Sequence, residues 1–148
     1  MGNYRHILAA VDFGSDSGQV LGRAAALARA MGARLSLVHV VEFLQFDLAS
    51  ELVLPQDVQL EAQMVEAAKR RLATMAADVD VGGPVDQWVE LGATKQEIVR
   101  IAETQGADLI VIGSHGRHGI SRLLGSTANA VLHGAGCDVL AVRIRAPG

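Results

Sequence analysis

Short apolar runs alternate with stretches of helical periodicity along this 148-residue chain, and the alternation limits the folds open to it. The apolar runs, which predict strands, occupy residues 5–11, 34–41, 85–91, 109–112 and 138–144. The helical patterns occupy residues 18–31, 58–77, 94–105 and 126–133. Strands that alternate with helices predict an α/β fold, in which a parallel sheet carries helices on both faces. The chain length suits one domain with a single core.

The order of the five predicted strands is restricted by the right-handedness of their connections. A doubly wound, Rossmann-like five-stranded parallel sheet of order 3-2-1-4-5 is the expected arrangement. Its topological switch point lies between the first and fourth strands, and ligands of such sheets bind outside the carboxyl ends of the strands at that point. The first strand ends at Asp12 and the fourth at Gly113. We therefore expect a binding crevice between these two residues.

Residues typical of helix ends support the predicted boundaries. Gly32 suits the left-handed stop after the first helix, and Gly106 suits the stop after the third. The third helix opens with the capping-box form T-x-x-E from Thr94 to Glu97, which predicts a hydrogen-bonded cap there. Residues 43–54 have no clear period and are expected to form a loop or a short excursion.

Composition narrows the class of protein. The formal charge of −3 and the pI near 5.9 argue against general nucleic-acid binding, which needs a basic surface. No apolar run approaches the ~20 residues that span a bilayer, and the first residues lack the pattern of a signal peptide. Cys137 is the single cysteine, so neither a disulfide framework nor a cysteine metal site is expected. These features predict a soluble, cytoplasmic protein.

The segment ADLIVIGSHGRHGISRLLGSTANA, from Ala107 to Ala130, is the most informative for function. An apolar strand stops at Gly113, a basic loop rich in glycine follows, and Gly125 leads into a predicted helix start. The order of strand, glycine loop and helix N-terminus presents backbone N–H groups to an anion such as phosphate. The segment therefore predicts a phosphate-binding loop.

Several well-known phosphate-binding classes do not match the chain. The Walker A pattern with its lysine is absent, and the first strand is followed by DFGSD rather than by G-x-G-x-x-G. A phospho-acceptor receiver domain would need clustered acids, whereas Asp12 has only Asp16 nearby. A P-loop NTPase, a dinucleotide-binding domain and a receiver domain are all disfavoured.

Four stretches of the chain, two of which overlap this segment, carry a resemblance to a known family. They are the first strand ending in Asp12, LSLVHVVE from Leu35, ELGATKQEIVRIAETQGADLIVIGSHG from Glu90, and LLGSTANAVLHGAGCDVLAVR from Leu123. Together they cover nearly the whole chain, which resembles the universal stress protein family. The resemblance implies one nucleotide-binding domain over residues 1–148, of the adenine nucleotide alpha hydrolase-like type.

The glycine spacing resembles that of the ATP-binding branch of this family. That branch carries G-x-x-G, nine residues, and then G-[ST]. Gly113 and Gly116 match the first part and Gly125 with Ser126 match the last, but only eight residues intervene here. The loop is therefore one residue shorter than the family pattern.

The resemblance implies a site for ATP, ADP or AMP, with Mg²⁺ as an optional companion. Its implied residues are Asp12, Val40, Ile112, Gly113, Gly116, Arg117, Gly125, Ser126 and Thr127. In this arrangement Asp12 meets the adenine or ribose, and the Val40 backbone pairs with the adenine edge. Ile112 and Gly113 lie under the ribose, and the last five residues surround the phosphates. The resemblance also implies an antiparallel homodimer through the C-terminal strand from Asp138 to Ile144.

Each feature also has a plainer interpretation. The glycine segment can be only a flexible loop, Ser126 can merely cap a helix, and Asp12 can be a turn former. Mid-strand His39 is expected to be structural, as are His6 and His133. Trp88 is expected to pack against the core, whereas the loop residue His115 fits either interpretation.

We expect a nucleotide-binding protein of stress response or signalling whose bound state alters its interactions. An alternative is a weak ATPase or an autophosphorylating enzyme. His115, His118 and Ser121 are available in the loop, but no acid lies beside them in the sequence, so any hydrolysis is expected to be slow. A second alternative is a dimeric adaptor that binds no nucleotide.

Overall fold

The computed structural model describes residues 3–14, 17–42, 55–114 and 125–144. Its elements follow the predicted alternation. They are β1 (His6–Ala10), α1 (Ser17–Met31), β2 (Arg34–Val41), α2 (Pro55–Ala77), β3 (Val85–Leu91), α3 (Thr94–Gln105), β4 (Leu109–Gly113), α4 (Ser126–Gly134) and β5 (Asp138–Val142). The strands form one parallel sheet in the order β3-β2-β1-β4-β5, which confirms the predicted fold.

The core lies on both faces of the sheet. Helices α1 and α2 cover one face, where buried side chains of β1 and β2 such as Ile7 and Leu37 meet Leu72 of α2. Helices α3 and α4 cover the other face, where Leu8 and Ile110 are among the buried side chains. Because the central strands are buried on both faces, their sequences are continuous apolar runs rather than alternating ones.

Two helix ends confirm the sequence prediction. Gly32 has a φ of 63° and Gly106 a φ of 70°, both in the left-handed region that glycine enters without steric cost. The N–H of Ala33 donates to the carbonyl of Ala28, and that of Ala107 to Ala102, so both helices end in the expected left-handed cap.

The predicted capping box of α3 is wrong. Ala93 is the N-cap residue and makes no side-chain cap hydrogen bond. The hydroxyl and the N–H of Thr94 both donate to Glu42, at the end of β2, at 2.6 and 3.0 Å. Glu97 accepts from Arg100 instead of turning back toward the helix start. The carboxylate of Glu42 therefore accepts the hydrogen bond at the helix start that the capping-box pattern assigns to Glu97.

The structure assigns packing roles to several of the side chains discussed above. Trp88 packs against the core on the α3/α4 face, as predicted. His6 is buried and hydrogen-bonded, also as predicted, whereas His133 lies exposed in the last turn of α4.

None of the described helices is long and apolar enough to cross a membrane.

Candidate functional site

A crevice of about 710 Å³ opens at the carboxyl ends of β1, β2 and β4. This volume lies within the range of small-molecule sites. The predicted site residues that line it are Asp12, Val40, Ile112, Gly113, Gly125 and Thr127. Ser126 lies beside the crevice and is exposed, while Gly116 and Arg117 lie outside the described residues, as does His115. The fold therefore brings six of the nine predicted residues to one cavity.

The backbone of Val40 presents an edge to this crevice. In a parallel sheet the N–H and C=O of one residue point to the same neighbour, and successive residues alternate between neighbours. The carbonyl of Val38 accepts from Val11 on the β1 side, and that of Val41 accepts from Gly92 on the β3 side. Val40 therefore faces β1, beyond the last β1–β2 pair at Ala10. The N–H and C=O groups of Val40 therefore point into the crevice, beyond the end of β1.

The two described glycines of the crevice do not owe their identity to backbone strain. Gly125 has φ −61° and ψ 158°, which any residue can adopt, and Gly113 is not among the glycines with positive φ. A glycine at a strand end often marks close approach of another group to the backbone. These positions are therefore consistent with a ligand that lies against the main chain.

The N-terminus of α4 adjoins the same end of the crevice. Gly125 is its N-cap residue and no side-chain cap hydrogen bond forms, so the interpretation of Ser126 as a helix cap is wrong. The first intrahelical bond runs from the N–H of Asn129 to the carbonyl of Gly125. The N–H groups of Ser126, Thr127 and Ala128 precede it, and this end of the helix dipole favours negative charge.

A backbone hydrogen bond joins Ser114 and Gly125, the residues on either side of the glycine loop. The N–H of Gly125 donates to the carbonyl of Ser114, which is buried directly after β4. The N–H of Ser114 in turn donates to Val142 of β5 at 2.8 Å. Ser114 was not predicted from the sequence. Its role depends on pairing with β5, and no local pattern reveals that pairing.

Asp12 forms a turn and also lies at the crevice. Its Oδ1 accepts the N–H of Gly14 at 2.9 Å, as in a turn, and the exposed side chain also lines the crevice. The next residue, Phe13, stacks on His39 and is covered by Arg71 of α2. All three of these residues line the crevice, and none of them was predicted from the sequence to belong to the site.

Acidic groups lie at the other end of the crevice. Glu42 follows β2, as Asp12 follows β1. The hydroxyl and N–H of Thr94 donate to Glu42 and lower the pKa of its carboxyl, an effect that burial only partly opposes. Glu42 is thus a stable carboxylate at neutral pH. Across the sheet, the crevice runs from carboxylates at β2 and β1 to backbone amides beside β4. Within the described part of the chain, no three His, Cys, Asp or Glu side chains are placed to hold a metal ion.

The fold and the crevice define a doubly wound α/β protein with a crevice at its switch point. The universal stress protein family matches residues 3–143, and the chain belongs to that family. It is 41% identical over 140 residues to universal stress protein A homolog 1 of Coxiella burnetii, covering 95% of this chain and 96% of the relative. It is 30% identical over 154 residues to universal stress protein MJ0577 of Methanocaldococcus jannaschii, covering 95% of each.

Solved structures show the same similarity. The structure of MJ0577 superposes with a TM-score of 0.84 at 28% identity, covering 98% of this chain and 99% of that one. A universal stress protein in complex with cAMP superposes with a TM-score of 0.64, covering 97% of this chain and 100% of that one. At 24% identity, that second match establishes the shared fold alone.

Proposed function

We propose that this protein binds an adenine nucleotide, ATP, ADP or AMP, in the crevice between β1 and β4. The observation that carries the proposal is the convergence of Val40, Gly113 and Gly125 on one cavity. The backbone edge of Val40 that faces the crevice offers one donor and one acceptor, the pair that the Watson–Crick edge of adenine complements. The glycines leave room for a ribose and phosphates against the main chain.

The charges in the crevice determine which end of the bound nucleotide lies toward β2 and which lies toward α4. Phosphates are repelled by the carboxylates of Asp12 and Glu42 and attracted by the N-terminus of α4. The base and ribose therefore lie over β2 and β1, and the phosphates lie beside Gly125, Ser126 and Thr127. The Asp12 carboxylate is then placed to accept a hydrogen bond from a ribose hydroxyl or an adenine nitrogen.

Two residues of the glycine loop complete the proposed phosphate site. Gly116 would leave room for the phosphates, and the Arg117 guanidinium would add charge-assisted donors. A relative of the same fold, solved in complex with cAMP, supports the choice of an adenine nucleotide. Mg²⁺, if bound, would be carried mainly by the phosphates, because the described residues provide no cluster of metal-binding side chains.

We propose that the bound nucleotide acts as a signal rather than as a substrate for rapid turnover. In this role the protein is a cytoplasmic stress-response module whose contacts with a protein partner depend on the ligand. Slow ATP hydrolysis is the enzymatic alternative. It predicts phosphate release that a variant without the nucleotide site does not show.

We further propose an antiparallel homodimer through β5, the edge strand of the sheet. The carbonyl of Val142 faces β4, since it accepts from Ser114. By alternation Leu140 also faces β4, whereas the N–H and C=O groups of Val139 and Ala141 point away from the sheet. An apolar edge with outward backbone groups is the kind of edge that proteins pair or cover.

Isothermal titration calorimetry with ATP, ADP and AMP tests the nucleotide proposal. The variant Gly125→Val places a side chain in the proposed phosphate space at a φ that valine tolerates. We expect it to lose more than about 100-fold in affinity, which corresponds to ~2.7 kcal/mol. Asp12→Ala should weaken binding more moderately. Gly136→Val is the matched control, since Gly136 does not line the crevice and has open space around it.

The outcomes of this titration separate the hypotheses. If Gly125→Val and Gly136→Val both bind as tightly as the parent, the phosphate site is wrongly placed. If the parent gives neither heat nor a thermal shift with any of the three nucleotides, the adaptor alternative is correct and the proposal fails.

A further inference from the structure

Phe13 occupies a backbone conformation that bulky residues avoid. Its φ is 62°, and it is the one non-glycine residue with a positive φ in the part of the chain that the structure describes. A Cβ in this left-handed region collides with the following backbone, so the conformation persists only where neighbours hold it. Phe13 immediately follows Asp12, a residue of the proposed nucleotide site. What holds Phe13 therefore also holds Asp12.

A three-layer stack holds the Phe13 ring. The imidazole of His39 stacks on it with a centroid distance of 3.9 Å and an interplanar angle of 25°. The guanidinium carbon of Arg71 lies over the ring, 4.6 Å from its centroid. Two planar groups this close to one ring must occupy opposite faces, because on one face they would overlap. The ring is thus enclosed between β2 and α2.

Hydrogen bonds tie the outer layers of the stack to the same turn. Nδ1 of His39 lies 2.7 Å from the carbonyl of Val11, which can only accept, so Nδ1 carries the proton and donates. Nη2 of Arg71 donates to the carbonyl of Phe13 at 3.3 Å. Arg71, on α2, therefore contacts both the ring and the backbone carbonyl of Phe13.

We propose that Arg71 is a positioning residue of the nucleotide site, which it serves by holding the strained turn that carries Asp12. This inference rests on the proposed function. Without Arg71, the turn spends part of its time in conformations that relieve the φ of Phe13. The apparent dissociation constant then rises by the inverse of the fraction of molecules that keep the binding conformation.

A direct contact between Arg71 and the nucleotide is the competing explanation, because Arg71 also lines the crevice. The two roles differ in their dependence on Phe13. Glycine adopts a positive φ without steric cost, so in a Phe13→Gly background the turn no longer needs the stack. Loss of a direct ligand contact would weaken binding equally in either background.

A double-mutant cycle on nucleotide affinity separates these roles. Arg71→Ala should weaken ATP binding roughly fivefold, as expected from an exposed cation–π contact. In the Phe13→Gly background the same change should have less than about a twofold effect. Arg70→Ala is the matched control, since it removes an equal charge from the adjacent exposed position of α2. An equal loss in both backgrounds, or no loss in either, overturns the proposal.

Hydrogen exchange tests the stack even in a protein that binds no nucleotide. The N–H of Gly14 donates to Asp12 within the turn, so its exchange reports how long the turn stays closed. Arg71→Ala should speed that exchange several-fold, and Arg70→Ala should leave it unchanged. Unchanged exchange in Arg71→Ala refutes the positioning role. If exchange speeds up but the parent protein binds no nucleotide, the stack is upheld and the proposed function alone fails.

Discussion

Replacement of His6 by alanine removes the central member of a buried hydrogen-bond network at the amino end of β1. His6 is 5% exposed and Ser36 is fully buried. Nε2 of His6 lies 2.6 Å from the Ser36 hydroxyl, and Nδ1 lies 3.1 Å from the Gln105 carbonyl. Because a carbonyl can only accept, Nδ1 carries the proton of the neutral ring, and the hydroxyl of Ser36 donates to Nε2.

The contacts set the size of the effect. His6→Ala leaves the Ser36 hydroxyl buried without this partner, at a cost of ~1–3 kcal/mol. The space left by the ring adds about 1 kcal/mol or more. We therefore expect the free energy of unfolding to fall by about 3 kcal/mol. Addition of Ser36→Ala removes the orphaned hydroxyl, so the double variant should be more stable than the sum of the single losses by ~1–2 kcal/mol.

The same site predicts a dependence of stability on pH. Burial lowers the pKa of His6 below its usual 6.5, although the Gln105 carbonyl acts in the opposite direction. As the pH falls through 6.5, the unfolded chain therefore takes up a proton at His6 before the folded protein does. The His6 contribution is complete above that pH and is lost below it, by at most ~1.4 kcal/mol per pH unit. His6→Ala should remove this share of the pH dependence.

Urea unfolding, followed by the fluorescence of the single tryptophan, Trp88, measures both effects. The parent, each single variant and the double variant are compared at about pH 7.5 and pH 5.5, on either side of the usual histidine pKa. A loss of less than about 1 kcal/mol in His6→Ala would show that the hydrogen-bonded chain contributes little. Parallel pH dependence in the parent and His6→Ala would show that His6 is not the group that titrates.

Two further predictions concern the sheet edge and a strained glycine. Ala141→Pro removes an outward N–H without touching the β4–β5 ladder, so light scattering should show monomers for this variant and dimers for Ala141→Val. A folded Ala141→Pro dimer would move the interface away from β5. Gly92 has a φ of 154°, and a Cβ there would lie 3.1 Å from Cγ of Glu97, so Gly92→Ala should lose ~1–3 kcal/mol in urea unfolding. The matched change Gly136→Ala, at an open position, should cost less than about 0.5 kcal/mol.

Hydrophobic periodicity was sufficient to predict the architecture. The observed β2, β3 and α3 have the predicted bounds, and β1 and β5 are shorter than predicted by two residues each. This success has a local cause, because burial on both faces requires continuous apolar runs in the central strands. Gly32 and Gly106 were equally predictable, since a left-handed helix stop depends on a single residue.

Caps and site contacts were less predictable because they join residues that are distant in sequence. Thr94 donates its N–H to the carboxylate of Glu42, 52 positions earlier, whereas the capping-box pattern considers only the next three residues. Arg71 reaches the Phe13 carbonyl across 58 positions. Nothing in the sequence around Arg71 distinguishes it from Arg70, and only the packing of α2 against the sheet makes the difference.

The sequence by itself determined the order of strands and helices, the switch point and the family resemblance, because periodicity, glycine positions and motif spacing are written along the chain. The tertiary structure decided that the backbone edge of Val40 faces the crevice and that Phe13 is held in a strained turn between His39 and Arg71. The physical reason is that parallel strands place distant residues side by side at their carboxyl ends. A backbone group is then free or bonded according to where its neighbouring strand ends.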